Sequence, residues 1–519
     1  MGNPLPEARP KRMNTKTIAL LIVASWFCIS ASAARKITYD QAVRIALGES
    51  YTAKYFREEM DASRFSYLFT KAQFKPILDF NIFAPSWDEG VREISRPDGL
   101  PVYNSTGSLQ VGGNINFTYV LPTGGNIALS SKMYWEHYRT RLSESGNRLL
   151  ETNQAYSRFA LIFDQPIFSG NKLRENMKAA ELSYRKTVCY FTRTQMDIVY
   201  DVTDGFYGVY KLAYEHKINE DRLANSREAY RITRLKYGTG DLPEGELLIT
   251  EITVAQDEAR VMESRGRLET AKDEFKLLIG LDLKEEIDLE AEMDFEAFAI
   301  DLQRATDEAL SNRKEIEEGG IDIELQQIEI KRAKRQRALK GNISGYYDLT
   351  GLSTLGRGSV GRLINSSFDN MSVRPPNRGV AFTLSYPIAD WGRAKNLIRR
   401  TETQLRQMEL NLDNTRRSIE QQIREIVRSV NEAEQRYRIN RRNEQVAQKS
   451  YRISQMRFQN GDMTSQELSI EQERLSQVQL AFIESYITYR LSVADLNRKT
   501  MYDFENDRSF LLNNAQTDL

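Results

Sequence analysis

The stretch Tyr451-Arg452-Ile453-Ser454-Gln455-Met456-Arg457-Phe458-Gln459-Asn460-Gly461-Asp462-Met463-Thr464-Ser465-Gln466-Glu467-Leu468 reads as the end of one helix, a glycine turn and the start of a second helix. Gly461 suits the left-handed conformation that closes a helix, and Asp462 tolerates the turn. Thr464 is placed to cap the next helix, with Glu467 three residues on completing a capping box. The same pattern occurs earlier as Tyr230-Arg231-Ile232, Tyr237, Gly240-Asp241-Leu242 and Glu246-Leu247. The offset is constant: 451 − 230, 461 − 240 and 467 − 246 all give 221. A repeat this long is no small solenoid unit, so the chain reads as two copies of one large motif.

Outward from these turns the pattern is helical. From Gly170 to Tyr237 it runs without an internal proline, and a partner helix follows from Pro243 to Leu278. At a rise of about 1.5 Å per residue such a helix is about 100 Å long, more than a globular core needs. Its counterpart from Gly392 to Gln459 carries Leu405, Met408, Leu412, Ile419, Ile426, Val430, Ala433, Tyr437, Ala447, Tyr451 and Phe458 at steps of three and four. That spacing is a coiled-coil seam, and Leu410, Ile423 and Val427 lie off it as a second apolar contact face.

Between the helical stretches the period switches to two. Leu109, Val111, Ile115, Phe117, Tyr119 and Leu121 alternate with smaller or more polar residues, and Ile127, Leu129, Met133 and Trp135 do so after Pro122-Thr123-Gly124-Gly125. This is a hairpin signal. Further strands are expected at Ile77–Phe83, Arg158–Ile167, Ile343–Leu349 and Val380–Ile388, with polar loops at Ala84–Gly107, Arg139–Ala155 and Gly351–Arg378. Short turns at one end and long polar loops at the other suit an outer-membrane barrel. Pro166 and Pro387, again 221 apart, mark each change from strand to long helix, where a missing N–H and a fixed φ are tolerated.

Lys11, Arg12 and Lys16, the apolar run Ile18–Ile29 and Ala31-Ser32-Ala33 have the order of a secretory signal peptide over 1–33, with Met1 or Met13 as the start. Of two cysteines, Cys28 would leave with the signal and Cys189 would remain as a small packed side chain, which excludes an internal disulfide. No later segment has the twenty apolar residues of a membrane-spanning helix. Basic and acidic residues number 72 each, which argues against a nucleic-acid partner held by phosphate neutralisation. The two histidines, His137 and His216, have no companions at metal-ligand spacing, and no GxSxG, phosphate loop or dinucleotide fingerprint is present. Neither an enzyme, a metal site nor a cofactor is expected.

Taken together, Ile37–Leu47, Gln165-Pro166-Ile167-Phe168-Ser169-Gly170, Tyr386-Pro387-Ile388 and the two Tyr…Gly-Asp-x-x-x-x-Glu-Leu turns resemble the TolC-like outer-membrane efflux family over essentially the whole mature chain. The resemblance implies a mainly α fold with a β-barrel part: a homotrimer whose strands close one barrel in outer-membrane lipid and whose helices continue as a coiled-coil α-barrel through the periplasm. It also implies a periplasmic adaptor and an inner-membrane pump of the RND or ABC type, in a tripartite efflux or type I secretion system. Boundaries follow as a first repeat over 34–280 (strands in 77–167, helices in 170–278), a connector over 281–303, and a second repeat over 304–500 (strands in 343–388, helices in 392–498). A polar tail, 501–519, packs loosely or frays. The region from Pro76 to Pro166 is longer than Lys340 to Pro387, so each chain supplies either the family's usual four strands or six.

The resemblance places a gate at the second turn, where threefold symmetry would turn Glu467 into a ring of carboxylates, with Glu471 one turn further and Asp462 beside it. Such a ring attracts cations and repels anions. A plainer reading of Glu467 is a helix-start acid favoured by the helix dipole. The tips Gly240, Asp241, Glu246, Gly461, Asp462 and Met463 are the expected adaptor contacts. Tyr119, Trp135, Tyr138, Phe168, Tyr386 and Trp391 lie near strand ends, as interfacial belts or as core. A periplasmic coiled-coil scaffold without a pore is the rival reading, and alternating apolar strands are what it has no use for.

Overall fold

The computed structural model describes residues 35–94, 102–142, 148–290, 300–354 and 359–510. In chain order these form β1 (Arg35–Thr38), α1 (Tyr39–Glu49), α2 (Tyr51–Ala72), β2 (Ile77–Ile94), β3 (Val102–Val120), β4 (Asn126–Leu142), β5 (Arg148–Ile167), α3 (Lys172–Gly238) and α4 (Glu244–Ile279). Then follow β6 (Ile287–Glu290), α5 (Leu302–Asn312), α6 (Lys314–Arg335), β7 (Lys340–Ser353), α7 (Val360–Val373), β8 (Asn377–Ser385), α8 (Arg393–Asn460), α9 (Ser465–Thr500), β9 (Tyr502–Asp503) and β10 (Arg508–Ser509). The signal segment with Cys28, connector residues 291–299 and the end of the tail, 511–519, lie outside the described residues.

The described residues divide into two compact units, one drawn from 35–56, 194–312 and 419–510 and the other from 57–193 and 313–418. In the first unit, β1 pairs in parallel with β6, bringing Ile37 opposite Leu289. Thr38 starts α1, its N–H donating to the Gln41 side chain. Around this entry packs an aromatic core: Phe206 meets Phe275 edge-on, while Tyr207 and Tyr437 each meet Tyr486. Ile423 and Val427, off the seam in sequence, are buried as fully as Ile419 and Val430 on it, whereas Leu410, expected on the same second face, is 69% exposed because no element among the described residues packs against it there. Met501, Tyr502 and Asp503 are buried and β9 pairs with β10, so the start of the tail is packed, contrary to the expectation of fraying. Its composition is polar, but Asp503 receives Asn506 and Arg508, and Asp507 receives Tyr502 and Arg304.

The second unit holds one antiparallel sheet in the order β2-β3-β4-β5-β7-β8. Six strands therefore share the sheet, resolving the choice of four or six. The strands are also longer than their apolar cores: much of the expected loops Ala84–Gly107 and Arg139–Ala155 is strand, with only 95–101 and 143–147 outside the described residues. Polar residues extend a ladder wherever a neighbour supplies hydrogen bonds, which period-two apolarity does not register. The expected loop Gly351–Arg378 likewise contains a helix, α7. Two pairs of helices are each separated by a single residue, α1 and α2 at Ser50 and α5 and α6 at Arg313. Beneath the sheet, α3 and α6 bury Leu182 and Cys189 against Ile321 and Ile328. Burial and the neighbouring Glu317 push the Cys189 thiol up to about 12, as befits a packed, unreactive side chain.

Candidate functional site: the helical tips and the two-faced sheet

In the first unit both turns close alike. Gly240 and Gly461 have φ of 80° and 90°, where only glycine sits without strain. The N–H groups of Asp241 and Asp462 donate to the carbonyls of Lys236 and Arg457, each at 2.9 Å, in the Schellman pattern. At α9 the capping box forms as the residues indicate: the Thr464 N–H reaches the Glu467 carboxylate at 2.9 Å and the Glu467 N–H reaches the Thr464 hydroxyl at 3.3 Å. Those bonds, the Thr464 N–H first and its hydroxyl second, hold the exposed Glu467 carboxyl below the usual glutamate range.

The other sequence candidates divide. Glu471 lies one turn on, ion-paired with Arg474 at 3.4 Å and near the Ser450 hydroxyl. Asp462, Gly461, Gly240 and Asp241 are exposed. Met463 is half-buried against Tyr451, Phe458 and Leu468. Glu246 turns inward to the other hairpin, where its carboxylate accepts from the Ser465 hydroxyl and N–H at the start of α9.

Two features of the tips were not read from the sequence. Lys236 donates to the carbonyls of Phe458 and Gln459, both at 3.2 Å, so the end of α3 caps the C-terminus of α8. Deeper, Arg222 joins three helices: its guanidinium donates to Asp257 on α4 at 2.7 Å and to Glu473 on α9. Arg260 also reaches Glu473, at 3.4 Å, and the Gln472 amide donates to the Arg222 carbonyl. The hydrogen bond from Arg222 leads the causes that hold the Glu473 carboxyl below its usual range. A signal for the first pair existed: 240 − 222 = 18 and 257 − 240 = 17, so Arg222 and Asp257 face each other across the turn.

In the second unit the register sorts the sheet into two faces. One carries Leu78, Phe80 and Ile82, then Val111, Ile115 and Phe117, opposite Trp135, Leu129, Phe159 and Leu161 on the following strands. The other carries Asn114 and Asn116, Lys132 and Glu136, Gln154 and Arg158, and Asp348. On this polar face Glu136 accepts from Gln110 on one side and Gln154 on the other, and Arg158 pairs with Asp348. At the strand-to-helix junctions, Pro166 pairs within β5 and β7 and Pro387 follows β8. Asn171 bonds the Pro122 carbonyl and the Arg174 N–H at the start of α3, while Asp390 accepts the N–H groups of Gly392 and Ala394 at the start of α8. Phe168, Tyr386 and Trp391 are exposed there, so none of the three is a core residue of this chain, whereas Trp135 is half-buried. Among the described residues no cluster of metal-ligating side chains occurs, and no helix is long and apolar enough to cross a membrane.

The chain thus combines an antiparallel sheet that has one apolar face with long helical hairpins. The family model for outer membrane efflux protein matches residues 133–281 and 305–497, and the chain belongs to that family. Among solved structures, the CmeC outer membrane channel of Campylobacter jejuni is similar at 14% identity and a TM-score of 0.65, covering 99% of this chain and 96% of that one. VceC, an outer membrane protein of Vibrio cholerae, is similar at 13% identity and 0.60, covering 89% and 95%. The MtrE outer membrane channel of Neisseria gonorrhoeae, in its open state, follows at 13% and 0.61, covering 90% of each. No curated protein sequence matches the chain. At these identities the likeness shows a shared fold.

Proposed function

We propose that the chain is the outer-membrane duct of an export system, passive in itself and driven by an inner-membrane pump of the RND or ABC type through a periplasmic adaptor. The observation that carries this reading is the two-faced sheet in a chain of the efflux family. An apolar face this extensive is costly in water and suits the hydrocarbon of a bilayer, and the opposite polar face suits a water-filled lumen. A single sheet still has unpaired edges, which a membrane does not tolerate. Three copies joined β2 to β8 would remove them, and three times six strands give an eighteen-stranded wall wide enough for an aqueous channel.

In this reading the two halves, 34–280 and 304–500, are internal repeats, and the paired hairpins of three chains build an α-barrel that reaches through the periplasm. Glu467 forms a carboxylate ring at its entrance, with Glu471 and Asp462 nearby, and the exposed turns at Gly240-Asp241 and Gly461-Asp462 meet the adaptor. Contacts between chains near Gly461–Glu471 hold the closed state. Opening is a rearrangement of the tips, against which the bonds from Ser465 to the Glu246 carboxylate and from Lys236 to the carbonyls of α8 hold each protomer's hairpins together.

The test is membrane fractionation followed by the native mass of the detergent-extracted protein. Outer-membrane recovery at three times the mature chain mass, with ion conductance in a planar bilayer, is the expected result. A soluble periplasmic species would overturn the duct and leave the pore-free coiled-coil scaffold as the better account.

A further inference from the structure

Helix α7 has no part in the duct described so far, and it lies on the apolar face of the sheet. Ser367 on α7 hydrogen-bonds Ser157 on β5, and a Cβ at Gly351 on β7 would collide with the Ser367 carbonyl. Ser157 and Gly351 pair in the ladder and share a face with Met133, Phe159 and Leu161. The seat is made of small side chains. Along that face β5 reads Ala155, Ser157, then Phe159, Leu161 and Phe163, and β7 reads Ser353, Gly351, then Leu349 and Tyr347. The large apolar row therefore stops where the helix begins.

Towards the sheet α7 buries Leu363 and Ser367 completely. Off that face the helix exposes Phe368 and Val373, the latter by 83%. Arg362, Arg374 and the neighbouring Arg378 are exposed as well, against the acidic Asp369. The level of the helix along the strands is informative. Ten residues separate Ser157 from Ile167 at the strand-to-helix junction. At a rise of about 3.3 Å per residue and a tilt of about 40°, that is about 25 Å, the height of the apolar band of an outer-membrane barrel. Exposed Phe168, Tyr386 and Trp391 mark the lower edge of the band, and α7 marks the upper one.

We propose that α7 is an interfacial helix lying in the outer leaflet of the outer membrane. Phe368 and Val373 enter the acyl boundary, and Arg362, Arg374 and Arg378 bind phosphate groups of lipid headgroups. The helix would cover the ladder of β5 and β7 where the bilayer ends and fix the barrel's height in the membrane. This rests on the barrel reading above, and the occupant is lipid because the apolar face that α7 continues is the face assigned to lipid.

The experiment attaches one nitroxide at a time to F368C, V373C or L161C, in a chain whose Cys28 and Cys189 are replaced by Ala. The full chain is reconstituted in vesicles of phosphatidylethanolamine and phosphatidylglycerol. Collision rates with oxygen and with a water-soluble nickel chelate give depth, with the exposed Arg452→Cys as the aqueous reference. Residue 161 should read as deep, and 368 and 373 as shallow but lipid-contacting. Combining R362E with R374E should shift 368 several-fold towards the aqueous reference. If 161 is in lipid but 368 matches the aqueous site, or is unchanged by the arginine substitutions, the interfacial helix is overturned and the barrel stands. Spin–spin broadening at 368 would assign the surface to a second copy and overturn it equally. If 161 itself reads as aqueous, the barrel reading falls and takes this proposal with it.

Discussion

Glu467 has two jobs open to it, and its environment lets them be separated. Its carboxylate is held in the ionised form by the N–H and hydroxyl of Thr464, so its folded-state pKa lies below its unfolded one. The resulting stabilisation is therefore present in full above the ordinary glutamate range and is lost as pH falls through the depressed value. Replacing Glu467 by Gln keeps a side chain that can complete the capping box but removes the charge. In bilayer recordings the E467Q pore should lose cation preference while its melting temperature stays within about a degree of wild type. Replacing Thr464 by Ala should do the opposite, costing about 1 kcal/mol in a denaturation experiment with selectivity retained. Equal selectivity in wild type and E467Q would place the residue outside the pore constriction.

Among the elements, the cluster of Arg222, Asp257 and Glu473 shows how three helices of one protomer are tied. Asp257 has a side chain only 1% exposed, and Arg222 is its nearer charge partner at 2.7 Å, with the more exposed Arg260 at 3.8 Å. Removing one member of such a buried pair leaves an uncompensated charge, whereas replacing both by apolar groups can be neutral. Arg222→Leu alone should destabilise by about 3–5 kcal/mol in chemical denaturation, and the Arg222→Leu/Asp257→Leu pair should recover most of that loss. A double variant no more stable than the single one would show that the guanidinium acts chiefly through Glu473. The pairing was open to inference from the nearly equal separations from Gly240, 18 and 17 residues, but the choice of Asp257 among the many acids of α4 was not. A 28% charged chain offers a carboxylate at almost any spacing.

For the whole molecule, the two-faced sheet carries the strongest prediction. Val111, Phe117 and Leu129 share the apolar face, Phe117 directly opposite Leu129 and Val111 opposite Trp135. Arg at any of these positions should cost about 2–4 kcal/mol if it faces mid-bilayer and should prevent outer-membrane assembly, read by heat-modifiable migration and fractionation. Arg in place of Ser130 or Asn116, on the polar face, should assemble normally. Normal assembly of all three apolar-face variants would remove the lipid contact from this hairpin.

The sequence by itself determined the helical hairpins with their glycine turns and capped restarts, the alternation of the central strands and the prolines at the junctions. These are local matters: a left-handed φ, an orphan N–H and a periodicity of two or about three and a half are visible within a few residues. Tertiary structure alone decided how far the strands extend, that six of them share one sheet, that a helix occupies an expected loop, that the start of the tail is anchored, and that Glu246 and Lys236 tie the two hairpins together. Each depends on partners more than a hundred residues away or on polar groups satisfied only by a neighbouring element, and no local pattern records which neighbour the fold will bring.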